Sequence, residues 1–288
     1  MAHETLIDPE TLAAHLASPG SQRWVLVDCR FALGDPEAGP RAHAEGTIAG
    51  ARHAHLDRDL SGPIVPGETG RHPLPTREAF VQTLGRLGID ADTQVVAFDD
   101  KGGAFASRLW WMLRWVGHAA VAVLDGGLPA WTAAGHALVP GETNVPATRF
   151  EARPSLVATA DASEVLAAAT DAGVVVLDAR AANRYRGEDE HTDPIAGHIA
   201  GARSAPFAGN LGEGGRMRSK DELTQRFRGL LAGAEPERAI AYCGSGVTAC
   251  HDLLAMHHAG LPMPRLYPGS WSEWITDESR PRATGAEP

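Results

Sequence analysis

Cysteine is scarce in this 288-residue sequence: only Cys29, Cys243 and Cys250. Three thiols cannot build the disulfide framework of a small secreted scaffold, so a reducing, cytoplasmic setting is expected. Long apolar runs are missing too. The most apolar stretch, Leu109 to Leu128, is broken by Arg114, His118 and Asp125, which excludes a membrane-spanning helix of roughly 18 or more uncharged residues. The N-terminal segment carries Glu4, Asp8 and Glu10 and has no apolar h-region, unlike a secretory signal. Basic residues are outnumbered, 26 against 36 acidic, for a net charge of −10 with no local Lys/Arg cluster. Such a surface repels polyphosphates, so nucleic acid is not an expected partner. Metal-binding spacings are also lacking. The 13 histidines include His251, His257 and His258 near one helix, but neither HExxH nor CxxC occurs, and no metal is expected. The run GEGG at Gly212 to Gly215 has no Lys-Ser or Lys-Thr after it and reads as a turn.

What the sequence does contain is a globular balance, 43% hydrophobic and 22% charged, at a length suited to two domains. It also contains itself twice. VLVDCR (Val25 to Arg30) followed by EGTIAGARHAHLD (Glu45 to Asp57) returns as VVLDAR (Val175 to Arg180) followed by AGHIAGARSAPF (Ala196 to Phe207). VVAFDDKGG (Val95 to Gly103) returns as AIAYCGSGV (Ala239 to Val247), and LDGGLPAW (Leu124 to Trp131) as YPGSWSEW (Tyr267 to Trp274). Four landmarks in one order indicate a tandem duplication.

Each copy alternates short β-branched runs with longer amphipathic segments. Strands are expected at 25–27, 95–98, 121–124, 174–177 and 239–242, and helices near 76–87, 104–116, 219–231 and 247–259. That alternation predicts an α/β fold in which each domain is a parallel sheet with helices on both faces. Pro140 to Pro154, with three prolines and few bulky residues, reads as the connection. The expected division is residues 1–140, a linker at 141–154, and residues 155–288.

One loop carries chemistry. Cys243 stands between an apolar strand and a helix, in the run Cys243, Gly244, Ser245, Gly246, Val247, Thr248, Ala249. Two glycines let the backbone curl so that N–H groups turn toward the sulfur, and with the helix N-terminus these favour negative charge there. Cys243 is therefore expected as a thiolate nucleophile rather than a buried, inert cysteine. Cys250 and Cys29 read as packing residues. Trp110, Trp111, Trp115, Trp131, Trp271 and Trp274 read as core or domain-interface residues.

The loop CGSGVTA, the repeated GHIAGAR-type element and the ending YPGSWSEW resemble the two-domain rhodanese family of sulfurtransferases, over about Ala14 to Trp274. The resemblance implies tandem rhodanese-like domains. It also implies sulfur transfer through a Cys243 persulfide to a thiol (thioredoxin or glutathione) or to cyanide, with no cofactor. Within the family a CGSGVT loop is typical of mercaptopyruvate-using members, whereas thiosulfate-using members carry basic residues after the cysteine, so mercaptopyruvate is the expected donor. A thiosulfate:cyanide sulfurtransferase and a non-catalytic sulfur carrier remain as alternatives. Cysteine-based phosphatases need an arginine six positions after the cysteine, and position 249 is alanine.

Residue by residue, the resemblance implies that Arg184 takes the donor's carboxylate, a task suited to a planar fork. The loop residues Gly244, Gly246, Val247 and Thr248 would line the substrate. It implies a relay of Asp57, His72 and Ser245, which would put the site between the domains; the bland alternative is that Asp57 and His72 only tie down a loop. The family's second arginine falls on His191, a weaker cation at neutral pH, with Arg186 as a nearby substitute. In the first copy the cysteine position is Asp99, which cannot accept sulfur, so domain 1 is expected to be catalytically silent.

Overall fold

The computed structural model describes residues 2–18, 20–141, 146–168, 171 and 173–288. The chain divides into two compact units: Met1–Gly62 with Pro75–Leu156 and Gly212–Met217, and Pro63–Leu74 with Val157–Leu211 and Arg218–Pro288. Of the expected linker, residues 142–145 lie outside the described residues. Beyond them the chain runs along the first unit: Thr148 N–H donates to Gly85 O at 2.9 Å and Arg153 N–H to Val116 O at 2.8 Å.

In the first unit the elements are β1 (Leu6–Ile7), α1 (Pro9–Ala17), β2 (Trp24–Asp28), α2 (Ala38–Glu45), β3 (Arg52–His53), α3 (Leu56–Asp59), α4 (Arg77–Arg86), β4 (Gln94–Phe98), α5 (Ala106–Trp115), β5 (Val121–Leu124) and α6 (Gly127–Ala133). The strands form one parallel sheet in the order β1-β5-β4-β2-β3. Every residue of β4 is buried, as expected of a central parallel strand covered on both faces, and its run QVVAF is correspondingly apolar. Leu26, Val96, Phe98, Ala122, Leu124 and Trp131 belong to one core cluster.

The second unit repeats this plan with shorter strands: α7 (Ala162–Ala168), β6 (Val176–Asp178), α8 (Ala182–Arg186), β7 (His198–Ile199), β8 (Arg203–Ser204), α9 (Lys220–Leu231), β9 (Ile240–Tyr242), α10 (Ala249–His258), β10 (Arg265–Leu266), α11 (Ser270–Trp274) and β11 (Arg282–Ala283). Its sheet order is β10-β9-β6-β8, again parallel, beside an antiparallel β11-β7 pair. α9 starts at a capping box in which Ser219 and Glu222 satisfy each other's backbone N–H groups. Trp271 and Trp274 are fully buried with Tyr242 and Tyr267, so the SWSEW segment is core.

The repeated acid-base ending of the first strand has a structural cause. Asp28 receives Arg30 through both carboxylate oxygens while Arg30 Nη2 donates to Gly46 O at 2.8 Å. Asp178, Arg180 and Gly197 O repeat the arrangement, the last bond at 2.6 Å. Each arginine ties the end of a central strand to the glycine of the GTIAGAR or GHIAGAR element. Burial opposes the charge on Asp28, but the hydrogen bonds from His43 and Arg30 prevail and hold its carboxyl down at about 2.

Candidate active site

Cys243 follows β9 directly, at the carboxyl end of a central parallel strand where open α/β sheets place their ligands. It is 2% exposed. The two glycines after it are not equivalent. Gly246 has φ +74°, and a Cβ there would meet Pro268 O at 2.4 Å, so only glycine fits. Gly244 has ordinary backbone; a Cβ on it would lie 2.9 Å from Arg71 Nη2 and 3.7 Å from Arg184 Nη1. Two guanidinium groups therefore stand over the loop. Val247 is buried, and Thr248 is half-buried as the N-cap of α10.

The outer side of the loop is stitched to the start of α11. Cys243 O accepts from Trp271 N–H at 3.0 Å, and Gly244 O accepts from Ser272 N–H at 2.9 Å. Cys243 N–H donates to Ser270 Oγ at 3.0 Å, and that hydroxyl donates to Tyr267 O at 3.0 Å. Ser270 is held at φ +56°, a conformation that costs a non-glycine residue about 1–3 kcal/mol. The sequence shows its segment only as a repeated landmark; that Ser270 braces the backbone of Cys243 comes from the fold.

The loop after β4 shows what this turn can hold. Gly102, at φ +64°, takes the place of Gly246. Asp99 replaces the cysteine and is fully buried. Its Oδ1 accepts from Lys101 and Gly103 N–H at 2.8 and 2.9 Å, and its Oδ2 from Phe105 and Ala106 N–H at 2.7 and 2.9 Å. Asp99 O accepts from Leu128 N–H at 2.8 Å, matching the Cys243–Trp271 bond. Four backbone donors close around one anion.

In the second unit Arg184, on α8, presents its fork to Glu190 at 2.9 and 3.0 Å and reaches Asp193 at 2.9 Å. Asp193 holds Arg71 with its other oxygen. Burial and the neighbouring Arg184 lower the Arg71 guanidinium from its ordinary value. Arg180 lies behind, paired with Asp178 and stacked over Trp271 at 4.8 Å; burial opposes its charge, yet Asp178 holds it above the arginine range. His72 Nδ1 stands 2.6 Å from Ser245 Oγ, both side chains buried. Asp57 belongs to the first unit, in the first turn of α3, where its N–H donates to His55 Nδ1 at 3.1 Å. The substitutes for a second family arginine fare differently: His191 is exposed, and the fork of Arg186 is taken by Glu188 on the surface. The second guanidinium over the loop is Arg71, which sequence reasoning missed although it precedes His72 directly.

Cys250 is fully buried with Sγ 3.4 Å from Gly246 O, and Cys29 is buried in the first unit, where burial pushes its thiol well up. Of the seven tryptophans, Trp24 and Trp115 are half-buried and the other five are buried. Among the described residues, no group of three or more His, Cys, Asp or Glu could hold a metal ion, and no helix is long and apolar enough to cross a membrane.

The family model for the rhodanese-like domain matches residues 8–134 and again 161–277. The chain is 49% identical over 286 residues to the probable 3-mercaptopyruvate sulfurtransferase of Pseudomonas aeruginosa, covering 99% of this chain and 100% of that one. It is 37% identical to the thiosulfate sulfurtransferase of Gallus gallus over 236 residues, 80% of this chain and 79% of that. Among solved structures, the 3-mercaptopyruvate sulfurtransferase of Leishmania major superposes with a TM-score of 0.81 at 33% identity, covering 94% of this chain and 74% of that one. A turn that begins with cysteine in one copy and with aspartate in the other thus sits on a fold matched twice by one domain model, and the chain belongs to the rhodanese family, with two rhodanese-like domains.

Proposed function

We propose that the protein is a sulfurtransferase that takes sulfur from 3-mercaptopyruvate onto Cys243 and passes it to a thiol or to cyanide. The observation that carries this reading is the company of Cys243: a hydrogen-bonded Ser245–His72 pair on its loop and two guanidinium groups over it. The Cys243 thiolate attacks the donor's sulfur. An S–S bond forms, the C–S bond breaks, and its electron pair leaves on carbon as the enolate of pyruvate. The proton from the donor's thiol reaches that carbon through the Ser245 hydroxyl and His72 Nδ1, with Asp57 proposed to orient the imidazole. A persulfide anion remains. The loop N–H groups stabilise it as their counterparts in the first unit hold the Asp99 carboxylate. Arg184 takes the carboxylate of the donor. Gly244, Gly246, Val247 and Thr248 line the reacting atoms.

The acceptor is a small thiol, thioredoxin, glutathione or cyanide, and the proposed setting is cytoplasmic, in keeping with three cysteines that form no disulfide. A second reading, thiosulfate as donor, draws support from the same two guanidiniums, which would attract a dianion. Parallel steady-state kinetics decide between them. We expect kcat/KM to be higher for mercaptopyruvate than for thiosulfate, and the reverse order would establish the second reading.

A further inference from the structure

Three hydrogen bonds in the second unit close a ring, and two of them end on Ser272. Ser272 N–H donates to Gly244 O at 2.9 Å, and Ser272 Oγ accepts from Arg71 N–H at 3.0 Å. Gly244 is followed by Ser245 and Arg71 by His72. The third bond is the 2.6 Å contact between Ser245 Oγ and His72 Nδ1. The circuit therefore runs from Ser272 through Gly244, Ser245, His72 and Arg71 back to Ser272, which is itself buried in α11. Gly70 leaves the space for this closure: a Cβ there would lie 2.6 Å from Gly269 O and 2.7 Å from Ser272 Oγ.

The ring matters because His72 stands on no helix or strand. Residues 60–76, between α3 and α4, form no regular element, and so long a connection keeps a side chain in place only through its anchors. The Arg71 guanidinium is anchored separately, at Asp193; the bond to Ser272 fixes the backbone, one residue from the imidazole. The Ser272 N–H bond fixes the turn one residue before the Ser245 hydroxyl. One short helix thus holds both partners of the contact.

The first unit lacks every side chain of the ring. The repeat places Lys101 at the position of Ser245 and Pro129 at that of Ser272. GETGRH (Gly67 to His72) returns as GEGGRM (Gly212 to Met217), which places Met217 at the position of His72. Proline offers neither an N–H nor a hydroxyl. The GEGGRM segment is anchored differently, by Met217 N–H donating to Asp125 Oδ1 at 2.7 Å. The turn after β4 still keeps its glycine at positive φ and its carbonyl bond to Leu128 N–H. The fold is built without the ring, and the ring goes with the cysteine.

We propose that Ser272 is a positioning residue for sulfur transfer, holding the Ser245 hydroxyl and the His72 imidazole at proton-transfer distance. This rests on the sulfur-transfer reading above, in which that pair carries the donor's proton to the leaving carbon. Ser272 acts through the two segments it joins.

The test is a double-mutant cycle in the full chain, read as the single-turnover rate of pyruvate release from mercaptopyruvate. Ser272→Ala keeps the N–H bond to Gly244 and removes only the acceptor for Arg71 N–H. It is expected to slow release by about tenfold, the size of one lost hydrogen bond. On a Ser245→Ala background, where the relay is already broken, the same substitution should slow release by less than about twofold. Ser272→Thr, which keeps the hydroxyl, should restore most of the rate. Gly70→Ala, whose Cβ forces the segment away from Ser272, should reproduce the loss with Ser272 intact. A purely structural role predicts equal slowing by Ser272→Ala in both backgrounds; that result, or a Ser272→Ala rate equal to wild type, overturns the proposal. Wild-type protein that released no pyruvate from mercaptopyruvate would instead overturn the sulfur-transfer reading, so the two failures are distinguishable.

Discussion

The turns after β4 and β9 share their backbone and differ in what fills them. Both have a glycine at positive φ in the fourth position, Gly102 and Gly246, and both tie the first residue's carbonyl to the second residue of a later helix, Leu128 of α6 or Trp271 of α11. In the first turn the acceptor is permanent: Asp99 is covalently part of the chain and accepts from four N–H donors, which oppose the upward push of burial on its carboxyl. In the second a cysteine stands there, one atom shorter in its polar reach, and the proposed persulfide would put its outer sulfur where the Asp99 oxygens lie in the first. Even the residue bracing each turn differs, Gly127 at φ +58° against Ser270 at φ +56°. Only the serine adds a hydroxyl, which accepts from Cys243 N–H. One backbone geometry holds a fixed carboxylate in one copy and the proposed nucleophile in the other.

That contrast can be broken from either side. The largest effect on stability is expected for Asp99→Asn, which leaves two of the four N–H groups facing an amide NH2. At about 1–3 kcal/mol for each unsatisfied buried donor, the loss is roughly 2–6 kcal/mol, read as a lower denaturation midpoint. Cys243→Ser should cost less than about 1 kcal/mol in the same assay, because no donor loses an observed acceptor. A smaller but sharper contrast lies within the second turn. Gly246→Ala, forced against Pro268 O at positive φ, should lower both stability and kcat, whereas Gly244→Ala meets only the movable end of Arg71 and should keep the fold and raise KM. Equal effects at the two glycines would remove the distinction.

The smallest effect concerns the ninth residue after each turn begins, Arg108 in one copy and Asp252 in the other, both fully buried. Burial pushes the Asp252 carboxyl up to about 7, against the hydrogen bond from Asn210 and the charge of Arg226. A carboxyl raised on folding binds a proton that the unfolded chain has already released. Its contribution is therefore favourable below about pH 4 and is lost as pH rises toward 7. Asp252→Asn should flatten the fall in stability between pH 5 and pH 8, as followed by denaturant midpoints; an unchanged slope would assign that fall to other groups.

Much of this architecture is written locally in the sequence. Val95 to Phe98 and Val121 to Leu124 coincide with β4 and β5 because fully buried parallel strands must be apolar throughout. The capping residues Thr76 and Ser219 mark where α4 and α9 begin. Cys243 was legible because a nucleophile on a glycine turn is a contiguous signal. α2, α3, α8 and α11 are too short, at four to eight residues, for helical periodicity to show. Arg71 and Asp193 were illegible for a different reason. They lie 122 residues apart, and nothing in either neighbourhood shows that they share a carboxylate–guanidinium contact. His191, found by counting along a motif, is exposed, whereas the cation over the loop arrives from elsewhere in the chain.

The most direct test of the account is the intact mass of the protein after one turnover with mercaptopyruvate and no acceptor. Wild-type protein should gain the mass of one sulfur atom, localised by peptide mapping to Cys243, with one equivalent of pyruvate released. Cys250→Ser should do the same and Cys243→Ser neither. Pyruvate release by Cys243→Ser, or a sulfur adduct mapped to Cys29 or Cys250, would contradict the assignment of Cys243 as the nucleophile.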